Sequence, residues 1–157
     1  MSKNLTHEEV ELLLFLLKDN KAALKLVLDI LWVGHVWDDL VDCDVVRSRD
    51  EINEAFIKAF RDIPNNEFYL SLPPVFMQQL NGLIISASLQ YRDSTKLELG
   101  DKDERLAGLL IRNAILPIIH YIMGLVGGPD WVDEHGLTLW KTFMTRDLYF
   151  DDLVRED

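Results

Sequence analysis

The stretch HVWDDLVDCD, residues 35–44, sets four aspartates within seven positions at the end of a long apolar run. Helical positions three and four apart share a face, so His35, Asp38, Asp39 and Asp42 are expected to form one polar patch. Back along the Asp38 stripe stand Leu31, Leu28 and Leu24, so the stripe should leave a core and turn acidic in its last turns. Like charges at this spacing repel, and burying them unpaired is costly. A divalent cation relieves both, because Mg²⁺ takes one or two carboxylates together with waters and phosphate oxygens. The expected cofactor is therefore Mg²⁺, or Mn²⁺ in its place, held in part by Asp38, Asp39 and Asp42.

A second acidic pair lies in TRDLYFDDLV, where Asp147 and Asp151 are again one turn apart and follow Trp140, Phe143 and Met144. Two such helices facing each other would build a carboxylate-lined cleft, with Asp38, Asp42, Asp147 and Asp151 as its catalytic and metal-binding groups. Arg146 or Arg155 is a candidate partner that neutralises the pair. Arg47 and Arg49 are candidate phosphate clamps, or local partners of Asp44 and Asp50. On the other helices Gln78, Asn81, Ser88 and Arg92 follow a heptad-like spacing, and Asn113 and His120 are two turns apart. Asn81, Asn113 and His120 are thus candidates to line the same cavity, or else satisfied core residues.

The elements that must position these groups are helical almost throughout. Thr6 with Glu9 forms a capping box opening a first helix that runs to about Lys18. A second is expected over 21–43 and a third over 49–62, closed by Pro64-Asn65-Asn66. The segment NEFYLSLPP reads as a loop whose aromatics tuck inward. A fourth helix starts near Pro74 and ends about Tyr91, and 93–104 reads as a polar connection. The fifth, 103–124, contains Pro117 and should kink there. Gly127-Gly128-Pro129 ends it, and the sixth, 130–154, should break at Gly136. The expectation is one all-α domain over 1–157, a bundle of about six helices.

Composition narrows the function. The chain has 157 residues, with 27 acidic against 16 basic, for a net charge of −11. That balance argues against nucleic acid or an anionic membrane as partner, since phosphate neutralisation needs a basic surface. The single cysteine, Cys43, excludes an internal disulfide and a cysteine-based zinc site. The N-terminal residues lack the basic-then-apolar pattern of a secretory signal. The most apolar stretch, 106–126, is interrupted by Arg112, Asn113, Pro117 and His120, so no transmembrane segment is expected. A soluble cytoplasmic protein follows as the expectation, with Trp131, Trp140 and Tyr149 offering a surface through which two copies could pair.

Asp38 to Asp42, and Asp147 to Asp151 preceded by Arg146, resemble the two aspartate-rich motifs of the squalene and phytoene synthases. GLTLWKTFMTRDLYFD, 136–151, is similar to the run that precedes and includes that family's second motif, and HYIMGLVGG, 120–128, is similar to an upstream helix. The resemblance covers three short patches in the same order. It departs from the family before the first motif, where WVGHVW stands in place of an arginine-rich pattern. It implies the all-α class I isoprenoid synthase fold and Mg²⁺ ions that grip a prenyl diphosphate. Asp38, Asp42, Asp147 and Asp151 would then be metal ligands and Arg146 a diphosphate contact.

Three functions follow as expectations. The first is a Mg²⁺-dependent transferase or lyase acting on a small-molecule diphosphate, where metal stabilises the departing diphosphate. The second is an all-α nucleoside triphosphate pyrophosphohydrolase, for which Glu8, Glu9 and Glu11 lack a clear partner helix. The third is a non-catalytic acidic interaction protein, whose charge would be spread over an exposed face.

Overall fold

In a computed structural model of the chain, residues 5–43 and 45–144 are described. All regular structure among them is helical: α1 His7–Leu16, α2 Lys21–Asp42, α3 Arg49–Ile57, α4 Glu67–Ser71, α5 Pro74–Leu97, α6 Lys102–Arg112, α7 Ile115–Gly127 and α8 Pro129–Phe143. A π-helical turn, Lys58–Asp62, continues α3. The chain divides into two compact units, Met1–Met77 and Gln78–Asp157, the boundary falling inside α5.

In the first unit, α1 opens on the expected capping box: Thr6 Oγ1 accepts from the Glu9 amide, and Glu9 accepts from the Thr6 amide at 2.6 Å. Ser48 with Glu51, at the start of α3, makes a second box of the same kind. The turn joining α1 to α2 puts Lys18 and Asp19 at φ of 53° and 57°. The left-handed conformation costs roughly 1–2 kcal/mol per non-glycine residue, which is offset by the burial of Leu13, Leu16, Leu17, Leu26 and Val27 on either side of the turn. Asn66 caps α4 and donates its Nδ2 to the carbonyl of Ala22 at 2.9 Å, which ties α4 to the start of α2. The expected loop 66–74 therefore contains one short helix, from which Phe68 is buried as anticipated.

In the second unit, α7 and α8 form the main contact. Leu116, Ile118, Ile119, Ile122 and Met123 of α7 are buried, as are Leu139 and Phe143 of α8. The expected fifth helix is realised as α6 and α7, divided at Asn113-Ala114. Pro117 explains the place of the division. It has no N–H for the carbonyl of Asn113, and its ring would crowd that carbonyl in a continuous helix. The Asn113 carbonyl instead accepts from the Leu116 amide at 3.2 Å. Gly128, at φ +78°, turns the chain, and Pro129 begins α8.

Two boundaries differ from expectation. α5 continues through RDSTKL to Leu97, because Ser94 is fully buried against α6 while its charged neighbours face outward. Nor does α8 break at Gly136, which sits buried inside it. A Cβ there would stand 3.0 Å from His120 Nε2, so the glycine serves close approach of α7 and α8 rather than a turn. By length and composition alone, Lys102–Gly127 could cross a membrane, but its second half is the buried helix α7 and it is interrupted at Asn113.

Candidate functional site

α2 carries the residues that the sequence singles out, and its 22 residues present three faces. The first is packed against α3 and its π-helical turn. It holds Asp29, Trp32, Val36 and Asp39, whose spacing of three, four and three residues is one helical stripe. Both aspartates are buried, with exposures of 4 % and 2 %. Asp29 accepts from Lys58 Nζ at 2.7 Å and also from Lys25. Asp39 accepts on Oδ2 from both Nε and Nη2 of Arg47, each at 2.5 Å. Arg47 also donates from Nη1 to Glu51 at 2.8 Å, and its guanidinium lies over the Trp32 ring, 5.2 Å from the centroid.

These contacts work as pins. Asp29, in the first half of α2, meets Lys58 at the head of the π-helical turn, and Asp39 near the end of α2 meets Arg47 just before α3. The two pairs are about 15 Å apart along α2 by helical rise and admit only the antiparallel register. Burial works to lower the Arg47 pKa, but the hydrogen bonds it donates to Glu51 and Asp39 outweigh this and raise the value above the usual one. The hydrogen bond to Asp29 similarly raises Lys58. The backbone amide of Ser48 and the side chain of Arg47 hold Glu51 below the ordinary carboxylate range. Each shift favours the charged state that the ion pair requires.

The second face carries Asp38 and Asp42. The stripe behind them, Leu24, Leu28 and Leu31, is half-buried and lies at the margin of the core rather than within it. Asp39 is therefore separated from its two neighbours: it points inward, whereas Asp38 is half-buried and Asp42 exposed. The expected single patch is split. Cys43 ends the helix in a left-handed conformation at φ 57° and is exposed.

The third face continues the core seam. Ala23, Val27, Ile30, Gly34, Trp37 and Val41 alternate in steps of four and three. Ala23 and Val27 are fully buried, Ile30 is half-buried, and beyond it the seam emerges. Trp37 is 38 % exposed, Val41 and the adjacent Leu40 45 % each, and Gly34 is exposed too. α1 has ten residues, about 15 Å, against about 33 Å for α2.

The remaining candidates are distributed as follows. Arg47, expected as a phosphate clamp, is engaged by Asp39 and Glu51. Asn81 is exposed on α5. Asn113 caps α6, its Nδ2 standing 3.9 Å from Met144 Sδ. His120 packs its ring 5.5 Å from that of Trp140, beside Gly136. Arg146, Asp147 and Asp151 lie outside the described residues. Among the described residues no three His, Cys, Asp or Glu side chains gather as a metal site. The fit to Mg²⁺ is thus confined to Asp38 and Asp42. Asp39 gives one oxygen to Arg47, and its other oxygen is buried from solvent without a hydrogen-bond partner.

An open groove of about 450 Å³ runs beside the Asp29–Lys58 pair, with Leu24, Leu28 and Trp32 as its apolar lining. Its lysines, Lys21, Lys25 and Lys58, are offset by Asp29 and Glu54, so it has little net attraction for an anion. Asp29 and the emergent seam were not singled out from the sequence. A lone acid inside LVLDIL is a signal for the first, and the four-three spacing for the second. Compared with known proteins, the chain matches no protein-family profile, no curated protein and no solved structure at a significant level.

Proposed function

We propose that this chain is a non-catalytic, acidic helical interaction protein. One observation carries the reading: Leu40 and Val41, adjacent near the end of α2, are each 45 % exposed, and Gly34 on the same helix is exposed too. Adjacent apolar side chains on a regular helical seam are suited to a partner, since burial on association returns about 25 cal/mol per Å² of apolar surface before the costs of association. The inward pairing of Asp39 with Arg47 agrees with this reading, because two groups suited to metal and phosphate are used instead to hold α2 against α3.

A second reading rests on Asp38 and Asp42, one turn apart near the end of α2. In a Mg²⁺-dependent protein acting on a diphosphate, as the resemblance to squalene and phytoene synthases implies, these two would take the metal, with Asp147, Asp151 and Arg146 completing the site. Two carboxylates suffice for Mg²⁺ where phosphate oxygens and waters fill the other positions.

One NMR titration of the full chain separates the two readings. Amphipathic helical peptides of varied charge are expected to shift the amides of residues 34–41, while Mg²⁺ with inorganic pyrophosphate leaves them unchanged. Saturable shifts at Asp38 and Asp42 with Mg²⁺ and pyrophosphate, absent in D38N/D42N, and no response to any peptide would transfer the assignment to the diphosphate reading.

A further inference from the structure

The groove beside the Asp29–Lys58 pair lies along the first half of α2, before the exposed residues at that helix's end, and its two ends differ in chemistry. We propose that it binds a free, straight-chain fatty carboxylate, with the head at Lys21 and the chain along Leu24, Leu28 and Trp32.

The shape is a trough. Lys21, Leu24, Leu28 and Trp32 follow one another in steps of three or four, so they share one face of α2. From Lys21 to Trp32 the helix rises about 16 Å, and Glu54 and Lys58 line the groove from α3 and its π-helical turn. A volume of about 450 Å³ spread over that length suits an extended chain, and it lies within the roughly 300–1,000 Å³ of small-molecule sites. Leu24, Leu28 and Trp32 are half-buried, so each still offers apolar surface to a ligand. Trp32 is the lining residue furthest along α2, and Arg47 over its ring holds it there.

Charge orients the ligand. Lys25 and Lys58 are both engaged by Asp29, and Lys58 also stands 3.7 Å from Glu54. Among the described residues Lys21 is the groove's one cation with no ion-pair partner, and it is exposed. It opens α2, whose first turn contains no acidic residue, so a cation stands against the positive end of the helix dipole. A carboxylate placed there meets both positive charges and relieves their repulsion. For a bare anion the gain is small, because the position is exposed and the groove's other charges cancel. An alkyl chain supplies what the head lacks. Each fully buried methylene tightens binding about fourfold, and an open trough that covers half of that surface leaves about twofold.

Calorimetric titration and amide shifts of the full chain test this, with each amphiphile kept below its micelle concentration. Dodecanoate is expected to shift the amides of residues 21–32 and to bind at least tenfold more tightly than octanoate, while acetate leaves them unmoved. Dodecyltrimethylammonium is the counter-probe. General attraction to a chain of net charge −11 favours it, whereas the groove is expected to favour dodecanoate at least tenfold. K21E reverses the charge at the head, in a helix position that suits a carboxylate. It is expected to hold or raise the melting temperature and to weaken dodecanoate at least tenfold. A dodecanoate brominated at its far end is expected to quench tryptophan emission, and W32F to lose that quenching while dodecanoate still binds.

Tighter binding of the ammonium amphiphile, or an unchanged dodecanoate affinity in K21E, would overturn the head at Lys21. Equal affinity for octanoate and dodecanoate, or quenching that survives in W32F, would overturn the course of the chain along α2. Binding to vesicles of anionic phospholipid with no response to the free carboxylates would overturn the proposal in favour of a lipid surface. All of these outcomes concern residues 21–32, so they leave the interaction reading at residues 34–41 to its own test.

Discussion

Asp38 and Asp39 are chemically identical neighbours, and the fold gives them opposite uses. One helical step of about 100° separates their directions, and the packing of α3 decides which turns inward. Asp39 is the one opposite Arg47. That choice was not legible in the sequence, because it depends on how α3 and the arginine just before it pack against α2. Breaking a buried pair from one side leaves the other charge stranded, at about 3–5 kcal/mol. The two sides are not equivalent here. R47M strands Asp39, whose side chain is 1 % exposed, and should lose about 3 kcal/mol or more of unfolding free energy. D39N leaves Arg47 its bond to Glu51 and an amide oxygen, and should lose about half as much. The double variant, with neither charge buried unpaired, should be more stable than R47M alone. Urea denaturation of all four proteins measures this. If R47M cost under about 1 kcal/mol, as an exposed ion pair does, the pinning role of Asp39 would be untenable.

At the scale of elements, much of the helical order was legible because capping boxes, prolines and glycine pairs are local signals. Thr6 with Glu9 and Gly128-Pro129 mark ends that the structure repeats. What escaped was decided by neighbours. RDSTKL reads as a connection from its polarity, yet Ser94 holds it in α5 by facing Gly108 of α6, where a Cβ would stand 3.1 Å from the Ser94 carbonyl oxygen and 3.1 Å from Leu97 Cβ. Gly136 reads as a helix breaker, yet its lack of a side chain admits His120. A pair of substitutions separates propensity from packing in the second unit. Gly82 is exposed within α5 and has nothing within 4 Å of a Cβ, so G82A should stabilise the protein by about 0.5–1 kcal/mol. G108A gains the same propensity but must displace backbone. Overpacking of this kind costs about 1–3 kcal/mol, so the net change should be destabilising. Equal stabilisation by both, in thermal or urea melts, would mean that α5 and α6 do not approach as closely as Gly108 indicates.

For the whole molecule, charge and apolar surface pull in opposite directions. The sequence pI is about 4.7, so the net charge of −11 falls toward zero as acid protonates the carboxylates. At neutral pH, mutual repulsion opposes association, although Trp37, Leu40, Val41, Phe56 and Phe60 are all at least 38 % exposed. Near the pI the repulsion is gone and the apolar residues remain, which favours association. The ionised state of Glu51 lies on the same axis. Its pKa is lowered in the fold, so its contribution to stability is present above its ordinary value of 4.5 and fades as pH falls through the lowered one. Association should therefore begin while the fold is still intact. Light scattering between pH 7.5 and 4.5 is expected to show monodisperse protein at the upper end and growing species near pH 5, with the far-ultraviolet helical signal unchanged at that point. V41D adds a charge to the α2 seam and should move the onset to lower pH by a few tenths of a unit. A shift of the same size from a charge added at exposed Gly82, in the second unit, would show that net charge alone governs association. Only a larger effect at Val41 assigns the contact to the seam, and the helix that ends in HVWDDLVD then carries both the acid that keeps the protein apart and the surface that brings a partner in.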